Sequence, residues 1–411
     1  MIQRLRGFVS RHQDAYLLSG ALLCTMFVIA SFIGIWPWSH NWYNTYSLQA
    51  VSWLEGRLDL GQDYSWLELA IYDGKYYCSF PPFPSLLMLP FALVFGTQTP
   101  DGFIAAALAI VTVFEALQLA RELGLKEGER LYWCGFLLFA NGWLWLVMNG
   151  YVWFIAQTLC FLLSLAAIRH AYAGRGGWAL SWWACAVGCR PMCALYLPVL
   201  MILLVRALRQ RQPDTSLIRL VLSHLRWAIG PVLIAAFYMW LNWARFGNPL
   251  EFGHNYLPEF QRAEHGQFSL TYLKDNIKAM LRFPLPYGDS TKLNWPQVNG
   301  TAFYLVNPLI LVSAAVWFSA FRRRGESGKA LYWLLPLLSF VYALFIACHR
   351  TLGGWHFGNR YLVDIMPWLF LGVILWKPSR RLTRLTFPLM ALGTALQLVG
   401  TVVTYNHWPL H

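Results

Sequence analysis

The stretch PFPSLLMLPFALVF, residues 82–95, decides how the rest of the chain is threaded. It is apolar but falls short of the ~20 residues that cross a hydrocarbon core as a helix. Pro82 and Pro84 open it and Pro90 interrupts it. A run of this length reads as a re-entrant or interfacial piece as readily as a span. The basic residues arbitrate, because Lys and Arg concentrate in cytoplasmic loops. Arg4, Arg6 and Arg11 place the N-terminus in the cytoplasm. If 82–95 does not cross, every later basic loop also lies inside: Arg121 to Arg130, Arg169 and Arg175, Arg206 to Arg226, Arg322 to Lys329, and Lys377 to Arg384. If it crosses, those loops face out. The first threading is the expectation, with about 11 spans (11–13 allowed) and the C-terminus outside.

The apolar runs behind that number lie at about 16–36, 102–119, 131–148, 151–169, 226–244, 302–320, 330–347, 361–376 and 385–404. The run 176–205 is broken at Cys189-Arg190-Pro191 and reads as two short spans. The fold class is therefore all-α: a polytopic transmembrane helical bundle, one domain over 1–411. Composition agrees. Of 411 residues, 57% are hydrophobic and only 12% charged, half the charge of an average soluble domain. The formal charge of +13 would suggest nucleic acid in a soluble protein. Here 21 of the 32 Lys and Arg fall on the expected cytoplasmic side, so the charge labels orientation and no nucleic-acid partner is expected. No cleavable signal is evident; the first span reads as an uncleaved anchor. The eight cysteines lie mostly in predicted spans without a CxxC, as buried small hydrophobes rather than a disulfide or zinc framework.

Two outer segments are long, which in compact proteins usually marks function. The first covers 37–81, or 37–101 with a re-entrant 82–95; the second covers 245–300. Residues 43–55 have the periodicity of an interfacial helix, ended by Gly56. Tyr72-Asp-Gly-Lys-Tyr-Tyr77 reads as a hairpin turn. Glu55, Asp59, Asp63, Glu68 and Asp73 give the first loop its carboxylates, while Arg190, Arg245, His254, Tyr256, His349, His356, Arg360 and Tyr361 share the same face. Carboxylates serve as bases or metal ligands, and Arg clamps phosphate. Attack on a lipid phosphosugar needs that pairing.

Each residue also has a plain reading. Asp59 suits a cap or an ion pair with Arg57. Asp73 suits the Asp-Gly turn. Glu68, between Leu67 and Leu69, has no turn duty and needs a partner. Lys75 would bind phosphate or membrane headgroups. His40 is a structural interfacial histidine or a base. Arg190, costly in an apolar hairpin, is paired, functional or snorkelling. Arg360 and Asp364, four apart, form an i,i+4 pair, or Arg360 holds phosphate with Tyr361 beside it. Glu115 pairs with a Lys or Arg by default.

The runs Ala50-Val-Ser-Trp-Leu-Glu-Gly-Arg-Leu-Asp59, Tyr72 to Tyr77 and Phe80-Pro-Pro-Phe-Pro-Ser85 resemble bacterial GT-C glycosyltransferases. These polytopic enzymes use polyprenyl-phosphate sugars and are related to the protein mannosyltransferase and aminoarabinose transferase groups. Arg245-Phe-Gly-Asn-Pro, Phe-Gly-His-Asn-Tyr256 and Trp355-His-Phe-Gly-Asn-Arg-Tyr361 are similar to runs in other members, in the same order. The resemblance implies transfer of a hexose or pentose from a polyprenyl-phosphate donor to a glycan, lipid or protein acceptor. It implies inversion, at the periplasmic face of a bacterial inner membrane. Glu68, Asp59 or Asp73 would be the catalytic carboxylate. Lys75, Tyr76, Arg190, His254, Tyr256, His356, Arg360 and Tyr361 would bind substrate. A divalent metal is an open option. Members usually carry an acidic residue just after the first span; here that place reads His40-Asn41-Trp42-Tyr43-Asn44, so a later carboxylate is expected to serve. The alternative is a lipid-linked sugar flippase or transporter, which would need polar groups lining a path through mid-membrane.

Overall fold

A computed structural model of the chain describes residues 12–283, 302–323, 329–354 and 356–406. Arg4, Arg6, Arg11, Arg324, Trp355 and the part of the second long loop from 284 to 301 lie outside the described residues. The chain is a multi-pass helical membrane protein. Among the described residues, seven helices are long and apolar enough to cross a membrane. They belong to a bundle whose elements run α1 (Gln13–Ile33), α2 (Thr45–Leu54), β1 (Leu69–Tyr72), β2 (Lys75–Cys78), α3 (Phe83–Phe95), α4 (Asp101–Glu122), α5 (Glu127–Phe139), α6 (Val152–Tyr172), α7 (Gly176–Val187), α8 (Leu197–Arg211), α9 (Ile229–Phe246), α10 (Leu273–Leu281), α11 (Leu309–Arg323), α12 (Lys329–Ala347), α13 (Met366–Trp376) and α14 (Arg380–Asn406). Helix α6 is the axis: 89% of its apolar window is buried, and α4, α7, α8 and α13 pack on it.

The expected spans are helical, but several are broken, each for a local reason. The run 131–148 stops at Ala140 and resumes as a turn at Trp143–Leu146. Between them the Gly142 N–H donates to Asn307 Oδ1 at 2.8 Å. The run 302–320 breaks at Asn307-Pro308 before α11, because Pro308 has no N–H to continue the ladder. The run 361–376 opens as a 3₁₀ turn, Arg360–Ile365, before α13. The run 176–205 breaks at Cys189-Arg190-Pro191 into α7, a 3₁₀ turn and α8.

Charge and polarity tie the two ends of the bundle differently. At one end Asp14, 2% exposed, accepts from Arg130 at 2.8 Å and lies 3.6 Å from Arg121. There Arg169 also pairs with Glu115 and Glu122, and Arg175 with Glu122 at 2.7 Å. Arg211 returns to the Ala173 carbonyl at 2.8 Å, closing the α7–α8 hairpin at the same end.

The opposite end is tied by neutral donors. Asn41, a few residues past α1, donates to Asp101 Oδ2 at 2.8 Å and to the Gly150 carbonyl at 2.9 Å. Ser47 donates to Asp101 Oδ1 at 2.5 Å. The starts of α4 and α6 therefore sit beside the finish of α1. Helix α3 begins where the Phe83 N–H donates to the Gly188 carbonyl, and it ends with Thr97 beside Asn44. Both its termini belong to this end of the bundle, and thirteen residues rise only about 20 Å.

Helix α2 differs from an interfacial helix: Thr45 through Ala50 are all buried. It lies between the bundle, α3 and the β1–β2 hairpin, so its polar side chains face protein.

The Asp14 cluster yields a stability prediction. Replacing Asp14 with Ala leaves the partly buried Arg130 beside Arg121 without its buried anion, and losing one partner of a buried pair costs up to about 3 kcal/mol, less where water reaches the cation. Thermal unfolding in detergent should show a clear loss for Asp14→Ala. An unchanged melting temperature would mean that water solvates Arg130 in the folded state.

Candidate functional site

The site is built at the Asn41–Asp101 end, where the 189–191 break, the 3₁₀ turn 360–365 and the first long loop meet. Its anchor is Asp364, 1% exposed. Asp364 accepts from Arg190 Nε at 2.8 Å, Tyr342 Oη at 2.7 Å and Gln157 Nε2 at 3.0 Å. Three separate elements thus supply donors to one carboxylate. Of the two sequence readings of Arg360, this removes the i,i+4 pair with Asp364. Residues 360–365 are 3₁₀, with three residues per turn, so positions four apart do not stack. Arg360 instead donates from Nε and Nη2 to the Gly353 carbonyl, at 3.2 and 3.0 Å, and from Nη1 to Gln157 Oε1 at 3.1 Å.

Gly353 has to be glycine. Its φ is +108°, and a Cβ there would stand 3.0 Å from Arg360 Nε and 3.3 Å from His356 Nδ1. Both cations contact the Tyr361 ring: the guanidinium carbons of Arg190 and Arg360 sit 4.6 and 4.8 Å from its centroid. Guanidiniums over an aromatic face are held by its quadrupole. Arg190 bonds Asp364 through Nε alone, so its Nη groups have no acceptor among the described residues.

Glu68 lies within electrostatic reach of Arg360. Its Oε2 accepts from Trp153 Nε1 at 2.9 Å, and Oε1 has no partner among the described residues. The side chain is accessible to water, and its carboxylate is crowded by surrounding protein. Crowding pushes the carboxyl pKa up, against the Trp153 hydrogen bond and the charge of Arg360. Ser79 fixes the local chain: its Oγ donates to the Glu68 carbonyl at 2.9 Å, and its own carbonyl accepts from His254 Nδ1 at 3.1 Å. His254 lies 6.4 Å from His349, and His349 6.1 Å from Tyr361, by ring centroids.

Glu68, Arg190, His254, His356, Arg360 and Tyr361 are therefore gathered in one region. Asp59, Asp73, Lys75, Tyr76 and Tyr256 have other surroundings. Asp59 Oδ1 accepts from the Gly61 N–H at 2.8 Å and lies 3.9 Å from Arg57. Asp73 and Gly74 both have positive φ, 50° and 69°, and form the two-residue turn that pairs Tyr72 with Lys75. Lys75 is exposed at its tip. Tyr76 packs beside Leu48, Leu60 and Leu69, and Tyr256 beside Tyr72 and Phe246. His40 stacks edge-on against Trp42. Among the described residues no three His, Cys, Asp or Glu gather as a metal-ligand set.

Sequence reasoning missed Trp153, Gln157 and Tyr342. Gln157 is the polar residue in an otherwise apolar stretch of α6, and that was the available signal.

Burial pushes His254 and His349 down to about 4, with the Arg190 charge adding to it. The folded state therefore keeps both rings neutral where the unfolded chain, near 6.5, binds protons. Their stabilisation is complete above pH 6.5 and is lost as pH falls from 6.5 towards 4. Melting temperatures between pH 7 and 4.5 should drop less steeply for His349→Gln than for the wild type. Parallel curves would contradict the buried neutral ring.

No protein-family model matches the chain, and no curated protein matches its sequence. Among solved structures it is similar to the Archaeoglobus fulgidus oligosaccharyltransferase in the apo form, at 14% identity and a TM-score of 0.40. The match covers 94% of this chain and 55% of that one, so this chain spans about half the length of that protein. So distant a likeness fixes neither the fold nor the chemistry.

Proposed function

We propose that the protein is a glycosyltransferase that moves a sugar from a polyprenyl-phosphate donor to a hydroxyl of a glycan, lipid or protein acceptor. The observation that carries this reading is the Glu68 carboxylate, one oxygen of which has no partner among the described residues, within electrostatic reach of Arg360, in the region where Arg190 and Arg360 both stack on Tyr361. In the proposed step Glu68 takes the acceptor hydroxyl proton as the oxygen attacks the sugar C1. The C1–O bond to phosphate breaks, and the lipid phosphate leaves with the electron pair towards the free Nη groups of Arg190. One displacement inverts C1. Glu68 returns its proton to water. Arg360 and Tyr361 hold the charge pair in register, and His254 and His356 line the wall. We assign Asp59, Asp73, Lys75, Tyr76 and Tyr256 to the architecture of the hairpin and its packing.

The Asp14 end, rich in Arg, is the cytoplasmic one in this reading. The site then faces the periplasm of a bacterial inner membrane, with α3 re-entrant on that side and the C-terminus outside. A flippase would need a polar path through mid-depth instead. Asp364 and Gln157 are enclosed by their own partners there and line no such path.

The test is transfer from a polyprenyl-phosphate sugar by the reconstituted protein. Glu68→Gln should lower the rate ~10²- to 10⁴-fold, while Asp59→Asn and Asp73→Asn stay within a few fold. The wild-type rate should rise with pH through the Glu68 pKa, lifted by burial above its ordinary 4.5, and the variant should lose that limb. Full rate in Glu68→Gln sinks the base assignment.

A further inference from the structure

Helix α2 carries buried polar atoms that the fold leaves without partners. Tyr46 is 1% exposed, and its hydroxyl meets nothing among the described residues. Gln49 is fully buried and lies three residues on, along the same face. Its Oε1 accepts from Ser85 Oγ at 2.7 Å, and with the amide in that orientation both Nε2 hydrogens have no acceptor among the described residues. Buried polar groups are nearly always bonded in native proteins, so two orphans on one helix face call for an explanation.

Their surroundings supply one. The Tyr46 ring lies 6.1 Å from Phe80, and its hydroxyl is within electrostatic reach of Arg190. Ser85 opens α3 two residues after Phe83, whose N–H donates to the Gly188 carbonyl beside Arg190. Arg190, its side chain 22% exposed, is the member that water reaches, and both its Nη groups are free. The Tyr46 hydroxyl, the Gln49 amide and the Arg190 guanidinium thus belong to elements that meet at one junction: α2, the start of α3 and the 188–190 turn. The nearby carboxylate, Asp364, is already taken by three donors. The group is rich in donors and poor in acceptors. Its complement is an anion with several oxygens.

We propose that Tyr46 and Gln49, together with Arg190, seat the phosphate oxygens of a lipid phosphate monoester. This rests on the transferase reading, in which that phosphate belongs to the sugar donor. It adds two positioning residues for the leaving group, on an element separate from Glu68.

The experiment measures binding and thermal unfolding of the purified protein in phosphatidylcholine nanodiscs. The probes are a short polyisoprenyl phosphate, the matching polyisoprenol and phosphatidic acid. Wild type should bind the polyisoprenyl phosphate and not the alcohol. Tyr46→Phe and Gln49→Leu should each weaken that binding ~10-fold, the loss of one hydrogen bond to a charged oxygen. Without ligand, Tyr46→Phe should melt at or above the wild-type temperature, because it deletes an unsatisfied buried donor, while Gln49→Leu, which also strips the buried Ser85 hydroxyl of its acceptor, should melt below it. A lower melting temperature for Tyr46→Phe, with unchanged affinity in both variants, would assign the two groups to a buried water and overturn the seat. Tight wild-type binding that neither variant alters would overturn the seat and leave the transferase reading standing. Equal binding of phosphatidic acid, weakened by both variants, would keep the seat but remove the sugar donor from it. No binding of any phosphate by wild type would overturn both.

Discussion

A buried anion in a membrane protein is stable only when fixed donors replace its water. Asp364 meets that condition through Arg190, Tyr342 and Gln157. The break at Cys189-Arg190-Pro191, helix α12 and the axial helix α6 are thereby drawn to one point. The arrangement also decides what remains available. Asp364 occupies one edge of the Arg190 guanidinium and balances its charge, so the other edge stays open while the cation is tolerated in an apolar setting. Arg360 is fastened differently, by the Gly353 carbonyl and Gln157, and both cations contact the Tyr361 ring. Glu68 completes the set from the first long loop. A water-accessible carboxylate near fixed cations is what a displacement at a sugar phosphate requires.

The two ends of the bundle solve the same problem with different chemistry. One end closes with Arg–carboxylate pairs around Asp14, Glu115 and Glu122. The other closes with Asn41 and Ser47 on Asp101. The second arrangement uses no cation and so leaves Arg190 and Arg360 as the prominent positive groups near the loops. It also gives Asn41 a structural task at the position where the resembling transferases carry an acid.

Much of this was legible in the residues. The long apolar runs became helices because backbone groups in lipid must bond within their own segment. The break at Arg190-Pro191 and the Asp73-Gly74 turn followed from the missing N–H of proline and from the conformations Asp and Gly tolerate. Glu68 stood out as a carboxylate without a turn duty. Long-range pairing was not legible. Nothing near Arg190 points to Asp364, and the i,i+4 rule pointed to Arg360 instead because it assumes an α-helix where the chain is 3₁₀. The burial of α2 was hidden as well, since an amphipathic pattern reads alike whether its polar face meets water or protein.

The central claim is that the Glu68 carboxylate and the Arg190–Arg360 pair flank one reacting bond. Its most direct measurement is release of lipid phosphate from a polyprenyl-phosphate sugar by the purified protein, with the configuration of the transferred sugar read by NMR. The account predicts release coupled to acceptor and inversion at C1. Retained configuration, or no release by a protein shown to be folded, would contradict it.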